Sequence, residues 1–203
     1  MRFANRTRQI AGKTSNAWDT HFIATEMIAR GEEAILLTVG DTDFPSPPQA
    51  VAAVHEALAA GRTSYGASAG SRALRQAIAK RHSERSGQPV DADQVTVTIG
   101  AQNGLLMSAL CLLDEGDEVI VPEPMYVTYP GSIAAAGAIT VSVPSPADNG
   151  FHPLIEAMEA AVTPRTKAIF LATPNNPTGA VYTREELEKI GDICRRHDLW
   201  LVS

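Results

Sequence analysis

Short apolar runs and helical stretches alternate along the second half of the chain. Runs rich in β-branched and aliphatic residues fall at positions 95–99, 118–121, 138–143, 167–172 and 199–202. Between them, apolar residues recur at helical spacing over 103–113, 126–136, 154–162 and 183–197. Runs that are apolar throughout, rather than alternating, fit strands buried on both faces. Strand and helix in alternation predict right-handed βαβ crossovers and a mostly parallel sheet covered by helices on both sides, a three-layer α/β architecture. The last helix carries its own start signal, because Thr183 can cap it and Glu186, three residues on, completes a capping box. The stretch LLMSALCLL at 105–113 is apolar nearly all round, which predicts burial inside a larger assembly.

The first half reads differently. ILLTVG at 35–40 is an apolar run closed by glycine, and Pro45, Pro47 and Pro48 follow it, so a strand entering a loop is predicted. A helix is predicted over 49–60, with Val51, Val54 and Leu58 on one face and Gly61 placed to end it. After a glycine-bearing loop, a second helix is predicted over 71–85, stopping at Gly87.

Composition narrows the function classes. With 203 residues, 44% of them hydrophobic, there is room for one large domain or two small ones. The net charge of −6 leaves no overall footprint for nucleic acid or an anionic membrane, so small-molecule partners are expected. Arg72, Arg75, Lys80, Arg81 and Arg85 cluster around Leu74 and Ile78 at helical spacing, with Glu84 among them, and read as a solvated helix face. Cys111 and Cys194 lie far apart without metal-ligand spacing; reduced thiols and no metal site are expected. Residues 1–13 are basic but lack the apolar core of a secretory signal, and no apolar stretch is long enough to span a bilayer. These features lead us to expect a cytoplasmic protein. The run LWLVS at 199–203 closes the sequence without a turn or polar tail, which leads us to expect a fragment of a longer chain.

In open parallel sheets, ligands bind at the carboxyl ends of the strands, where helix N-termini offer unpaired N–H groups to anions. Three strand ends stand out. At Gly100-Ala101-Gln102, a strand is predicted to turn into a helix through small residues, so that the Ala101 and Gln102 amides can point at a phosphate. At Pro122-Glu123-Pro124-Met125-Tyr126, an aromatic follows a strand end and can stack on a planar ring. At Thr173-Pro174-Asn175-Asn176-Pro177-Thr178-Gly179, a rigid turn fixes Asn176, whose amide can donate to a ligand oxygen.

The last string resembles the signature of class I and II aminotransferases, the fold-type-I enzymes dependent on pyridoxal 5'-phosphate. So do Gly40-Asp41-Thr42-Asp43-Phe44-Pro45, Ser64-Tyr65-Gly66 ahead of Ala69-Gly70, Gly116-Asp117-Glu118-Val119-Ile120-Val121, and Thr163-Pro164-Arg165-Thr166-Lys167-Ala168. The resemblance runs in register over residues 37–203. It implies a division into an N-terminal arm and the start of a small domain at 1–45, and an incomplete cofactor-binding large domain at 46–203. It implies that Gly100, Ala101 and Gln102 form the phosphate turn, that Tyr126 stacks on the pyridine ring, and that Asn176 hydrogen-bonds the ring's 3-oxygen. Tyr65 then matches the tyrosine that reaches the cofactor phosphate of the neighbouring subunit of a homodimer, and Gly40 the glycine near the substrate carboxylate. Arg165 and Thr163-Pro164 read as a structural turn.

By the same resemblance, the aspartate that pairs with the pyridinium nitrogen, the Schiff-base lysine and the arginine that clamps the substrate carboxylate belong after Ser203. No catalytic residue is therefore expected among these 203, and the chain by itself is expected to be inactive. Lys167 begins a buried strand and Lys189 lies on a helix face, so neither substitutes for the missing lysine. The implied reaction of the parent protein moves an amino group from an amino acid to a 2-oxo acid, pyruvate or 2-oxoglutarate. Trp18-Asp19-Thr20-His21, Pro124-Met125-Tyr126-Val127-Thr128-Tyr129 and His197-Asp198-Leu199-Trp200 are also similar to strings of arginine–pyruvate transaminases. The alternatives are a carbon–sulfur lyase or cyclopropane-forming synthase of the same fold, and an aminotransferase-like ligand-sensing module of a transcription regulator.

Overall fold

A computed structural model of the chain describes residues 2–11 and 18–203. In chain order the helices are α1 (Asn5–Ala11), α2 (Asp19–Ala29), α3 (Pro48–Ala59), α4 (Arg72–Ser86), α5 (Gly100–Leu112), α6 (Tyr129–Ala135), α7 (Ile155–Ala160) and α8 (Arg184–His197). The strands are β1 (Glu118–Glu123), β2 (Ile139–Pro144), β3 (Thr166–Phe170) and β4 (Trp200–Val202). They form two compact units, Met1–Ala34 with Ala101–Ser203, and Ile35–Gly100. The boundary expected at residue 45 falls inside the second.

The first unit holds a four-stranded sheet in the order β2-β1-β3-β4, every pair parallel. The continuous apolar runs form these strands because both faces are covered. Val119 and Val121 of β1 and Ala168 and Phe170 of β3 face one way, packing with Ala109, Leu113, Tyr129 and Ile133 from α5, its end and α6. Ile120 and Ile169 face the other way, against Met158 of α7 and Ile190, Ile193 and Cys194 of α8. Each of the fully buried Val, Ile, Phe and Met side chains among these contributes about 1.5–3 kcal/mol relative to exposure. The result is the three-layer α/β arrangement that the alternation predicts.

Helix α8 begins as its sequence dictates. The Thr183 hydroxyl accepts from the Glu186 N–H at 3.2 Å, while the Glu186 carboxylate accepts from the Thr183 N–H at 2.7 Å. His152 Nδ1 also lies 2.8 Å from that carboxylate, tying the loop before α7 to the start of α8. Thr183→Ala is expected to lower stability by about 1 kcal/mol, the usual worth of such a cap, read as a shift in urea midpoint at constant slope. A change below about 0.3 kcal/mol would mean that His152 holds Glu186 without help from the cap.

In the second unit, α3 and α4 form where predicted. Ser71 caps α4 through the Leu74 N–H, and Gly87 closes it in the left-handed conformation, φ +72°. Two expectations are corrected here. Residues 35–40 and 95–98 form no strand. An apolar run becomes a strand only by pairing, and among the described residues nothing forms a ladder with either segment. Ile35 and Leu37 accordingly lie exposed, while Val97 makes a single backbone bond to the Ala69 carbonyl at 2.9 Å. The basic face of α4 also needs amending. The Arg75 side chain is only 14% exposed and donates to the carbonyls of Gly70 and Ala92, so it is an internal strut of this unit. Helices α1 and α2 have no counterpart in the pattern reading; α1 packs on α6, where a methyl added at Gly131 would lie 3.6 Å from the Ile10 carbonyl oxygen.

Candidate functional site

Within the sheet-bearing unit, three of the singled-out features converge on one end of the sheet. Loops 124–128 and 171–182 leave the carboxyl ends of β1 and β3, which are parallel neighbours. Helix α5 is joined to the start of β1 by a short connection and runs about the same length as the strand, so its N-terminus returns to that carboxyl end. The tie is direct: Gln102 Nε2 donates to Ser132 Oγ, in the first turn of α6, at 3.2 Å.

The start of α5 leaves backbone donors that could hold an anion. The backbone N–H groups of its first turn have no carbonyl within the helix to bond. Gly100 donates to Thr98 instead, at 2.9 Å, and Ala101 and Gln102 are exposed. Gly100 has φ +74°, and a methyl placed on it would meet nothing within 4 Å, so the backbone is open to close approach. With its side chain engaged by Ser132, Gln102 offers the site its amide.

Tyr126 is positioned by a relay of rings. Phe170, fully buried in β3, meets Tyr129 edge-on at a centroid distance of 6.0 Å, and Tyr129 meets Tyr126 edge-on at 5.7 Å. Such T-shaped contacts fix ring orientation beyond simple burial. Tyr129 is 6% exposed, and burial, with Tyr126 nearby, pushes its phenol above the usual range, so it stays neutral and structural. Tyr126 begins no helix, contrary to expectation, because α6 starts at Tyr129. It therefore sits in the loop, half-buried.

The loop after β3 contains two adjacent asparagines with opposite environments. Asn175 is buried, 6% exposed, and its backbone N–H donates to the Ala180 carbonyl at 2.8 Å while its carbonyl accepts from Gly179 at 2.7 Å. Its side-chain Nδ2 donates to the Pro124 carbonyl at 3.0 Å and to Thr178 Oγ1 at 2.9 Å. Asn176 is exposed at the tip of the turn so formed. The sequence singles out Asn176 and passes over Asn175, since nothing in an Asn-Asn doublet says which member turns inward.

The remaining residues fall elsewhere. Gly40 and Tyr65 belong to the unit Ile35–Gly100, both exposed, with nothing within 4 Å of a methyl placed on Gly40. Lys167 is exposed at the irregularity where the β1–β3 register shifts, and Lys189 pairs with Glu185 at 2.8 Å. Among the described residues no group of three His, Cys, Asp or Glu could hold a metal, and no helix is long and apolar enough to cross a membrane.

Paired with the amides at Ala101 and Gln102, the ring of Tyr126 and the outward amide of Asn176 suit a planar aromatic ligand that bears a phosphate and a ring oxygen. Residues 32–203 match the family model described as aminotransferase class I and II. The chain is 49% identical over 203 residues to arginine–pyruvate transaminase AruH of Pseudomonas aeruginosa, covering all of the chain and 52% of that protein. It is 40% identical over 180 residues to the aspartate/prephenate aminotransferase of Thermus thermophilus, covering 89% of the chain and 47% of that protein. Among solved structures, it superposes on the aspartate aminotransferase from Thermus thermophilus with maleate at a TM-score of 0.93, with 38% identity, covering 99% of the chain and 52% of that structure. For the alanine aminotransferase from Pyrococcus furiosus the TM-score is 0.92 at 32% identity, with 98% of the chain and 51% of that structure covered. The chain thus spans about half the length of the relatives it matches.

Proposed function

Because the chain belongs to the aminotransferase class I and II family, we propose that the whole protein carrying it moves an amino group from an amino acid to a 2-oxo acid with pyridoxal 5'-phosphate as cofactor. The observation that carries this reading is the convergence of the α5 amides, Tyr126 and Asn176 at one end of the sheet. The 49% identical relative, an arginine–pyruvate transaminase, supports arginine and pyruvate as the first pair to test, with 2-oxoglutarate as the alternative acceptor.

When bound, the cofactor supplies an electron sink for the substrate carbon that loses its proton. What these residues do is hold and orient. Gly100 would let the backbone approach the phosphate, and the Ala101 and Gln102 amides, with the α5 dipole behind them, would stabilise its charge. Tyr126, braced by Tyr129, would cover one face of the ring, and Asn176 would donate to the 3-oxygen. The same proposal gives Tyr65 the role of reaching the phosphate held by the neighbouring subunit of a homodimer, and Gly40 that of the glycine beside the substrate carboxylate. The same reading divides the protein into an N-terminal arm and small-domain start at 1–45 and a large domain from 46, and places it in the cytoplasm.

The whole purified protein is expected to take up pyridoxal 5'-phosphate, with its near-visible absorption, and to form alanine from pyruvate when given arginine or another amino donor. Release of ammonia or thiol without amino transfer would sink the reading in favour of a lyase. Asn176→Ala is expected to weaken cofactor binding about tenfold, the loss of one hydrogen bond to a charged oxygen, without moving the melting temperature of the cofactor-free protein.

A further inference from the structure

Among the described residues, the Asn175 side chain is the group that bonds both loops of the cradle. Its two Nδ2 hydrogens are both used, one on the Pro124 carbonyl at 3.0 Å, two residues before Tyr126, and one on Thr178 Oγ1 at 2.9 Å, two residues after Asn176. A backbone carbonyl only accepts, which fixes the side-chain atom facing Pro124 as the NH2 group. The Asn175 main chain closes the turn itself, through the Gly179 N–H at 2.7 Å and the Ala180 carbonyl at 2.8 Å. Its 6% exposure keeps water from replacing these bonds, so the geometry is held by protein alone. The loop after β1 is braced from the far side as well, where Ser145 N–H donates to the Glu123 carbonyl at 2.8 Å.

We propose that Asn175 is a positioning residue for the cofactor: by locking the turn that carries Asn176 onto the loop that carries Tyr126, it fixes the height of the Asn176 amide relative to the ring that Tyr126 covers. This rests on the reading of the site as a pyridoxal-phosphate cradle. Asn175 does not touch the cofactor. It acts through Asn176, whose directed N–H loses its worth when the turn shifts by a fraction of an ångström.

The test reads the pH at which the absorption band of the bound cofactor shifts in the whole protein. A donor on the 3-oxygen favours its ionised form, so losing it raises that midpoint. Asn176→Ala is expected to raise the midpoint by about one pH unit, and Asn175→Ala to raise it by a sizeable part of that. The double variant is expected to match Asn176→Ala alone, because two residues acting through one contact are not additive. An unmoved midpoint in Asn175→Ala, or full additivity in the double variant, overturns the proposal while leaving the cradle reading intact. Wild-type protein that binds no pyridoxal phosphate overturns both. Should Asn175→Ala fail to fold, Thr178→Val removes one of the two side-chain bonds and is expected to shift the midpoint in the same direction by less; no shift there also overturns the proposal.

Discussion

Replacing Gly70 with alanine is expected to destabilise the unit of residues 35–100 by about 3 kcal/mol, through two effects that add. Gly70 has φ +94°, a conformation that costs a residue with a Cβ about 1–3 kcal/mol. A methyl there would also lie 2.6 Å from Val97 Cγ2 and 2.7 Å from Val97 Cβ, inside any tolerable contact. The neighbour cannot simply swing away, because Cβ is fixed to the backbone and the Val97 N–H is bonded to the Ala69 carbonyl at 2.9 Å. Gly87 provides the control, since it too has positive φ, +72°, but nothing lies within 4 Å of its added methyl. Gly87→Ala is therefore expected to cost about 1 kcal/mol, the backbone effect alone. Equal shifts of the urea midpoint for the two variants would show that residues 95–98 relax to admit the methyl. The pairing of Ala69-Gly70 with Val97 also gives a physical reason for the glycine in the Ser64-Tyr65-Gly66 to Gly70 stretch: a second chain segment passes too close for a side chain.

Legibility of the fold in the sequence followed how local each determinant is. The sheet and its helices could be read because β1 and β3 are apolar on both faces, and the α8 boundary because a capping box is complete within four residues, Thr183 to Glu186. The runs at 35–40 and 95–99 misled because hydrophobicity reports burial or interface without reporting a pairing partner. Helices α1 and α2 were missed for the opposite reason: α2 has no buried residue, and its exposed Phe22 and Ile23 break the one-sided pattern that identifies a helix. Arg75 shows the limit for charged residues, since its helical spacing matches a solvated face while its bonds to Gly70 and Ala92 come from the loops on either side of α4. At the candidate site, Asn176 could be singled out from its turn, but Asn175 could not, because its partner Pro124 lies 51 residues away.

The Glu118 carboxylate is expected to make the start of β1 acid-sensitive, and its removal to abolish the share of acid sensitivity that Glu118 contributes. Glu118 opens β1 with its side chain only 7% exposed, and both its oxygens are engaged: Thr163 donates its hydroxyl at 2.6 Å, and Arg165 donates Nε at 3.0 Å and a second nitrogen to the other oxygen. The Thr163 bond, then the Arg165 bond, hold the carboxyl below its ordinary value of 4.5, against the opposing effect of burial. A folded value lower than the unfolded one stabilises the protein above about pH 4.5, and that contribution is lost as pH falls through the folded value. The Arg165 side chain is 66% exposed, so its charge is screened and the hydroxyl bond carries more of the effect. Glu118→Gln keeps the shape but turns an acceptor oxygen into an NH2 that faces a donor, and is expected to cost about 2 kcal/mol at pH 7. Below pH 4.5 the gap between variant and wild type should shrink, because the unfolded wild-type carboxyl takes up a proton there, and below the folded value the folded carboxyl also loses its charge-assisted bonds. Thr163→Val should reproduce much of the loss, and Arg165→Met less of it, when urea midpoints are compared at pH 7 and pH 4. If Arg165→Met costs more than Thr163→Val, the ion pair rather than the buried hydroxyl bond anchors the start of β1. That strand is one of the sheet's two inner strands and carries the loop with Tyr126, so the anchor at its first residue also sets where the candidate site begins at its last.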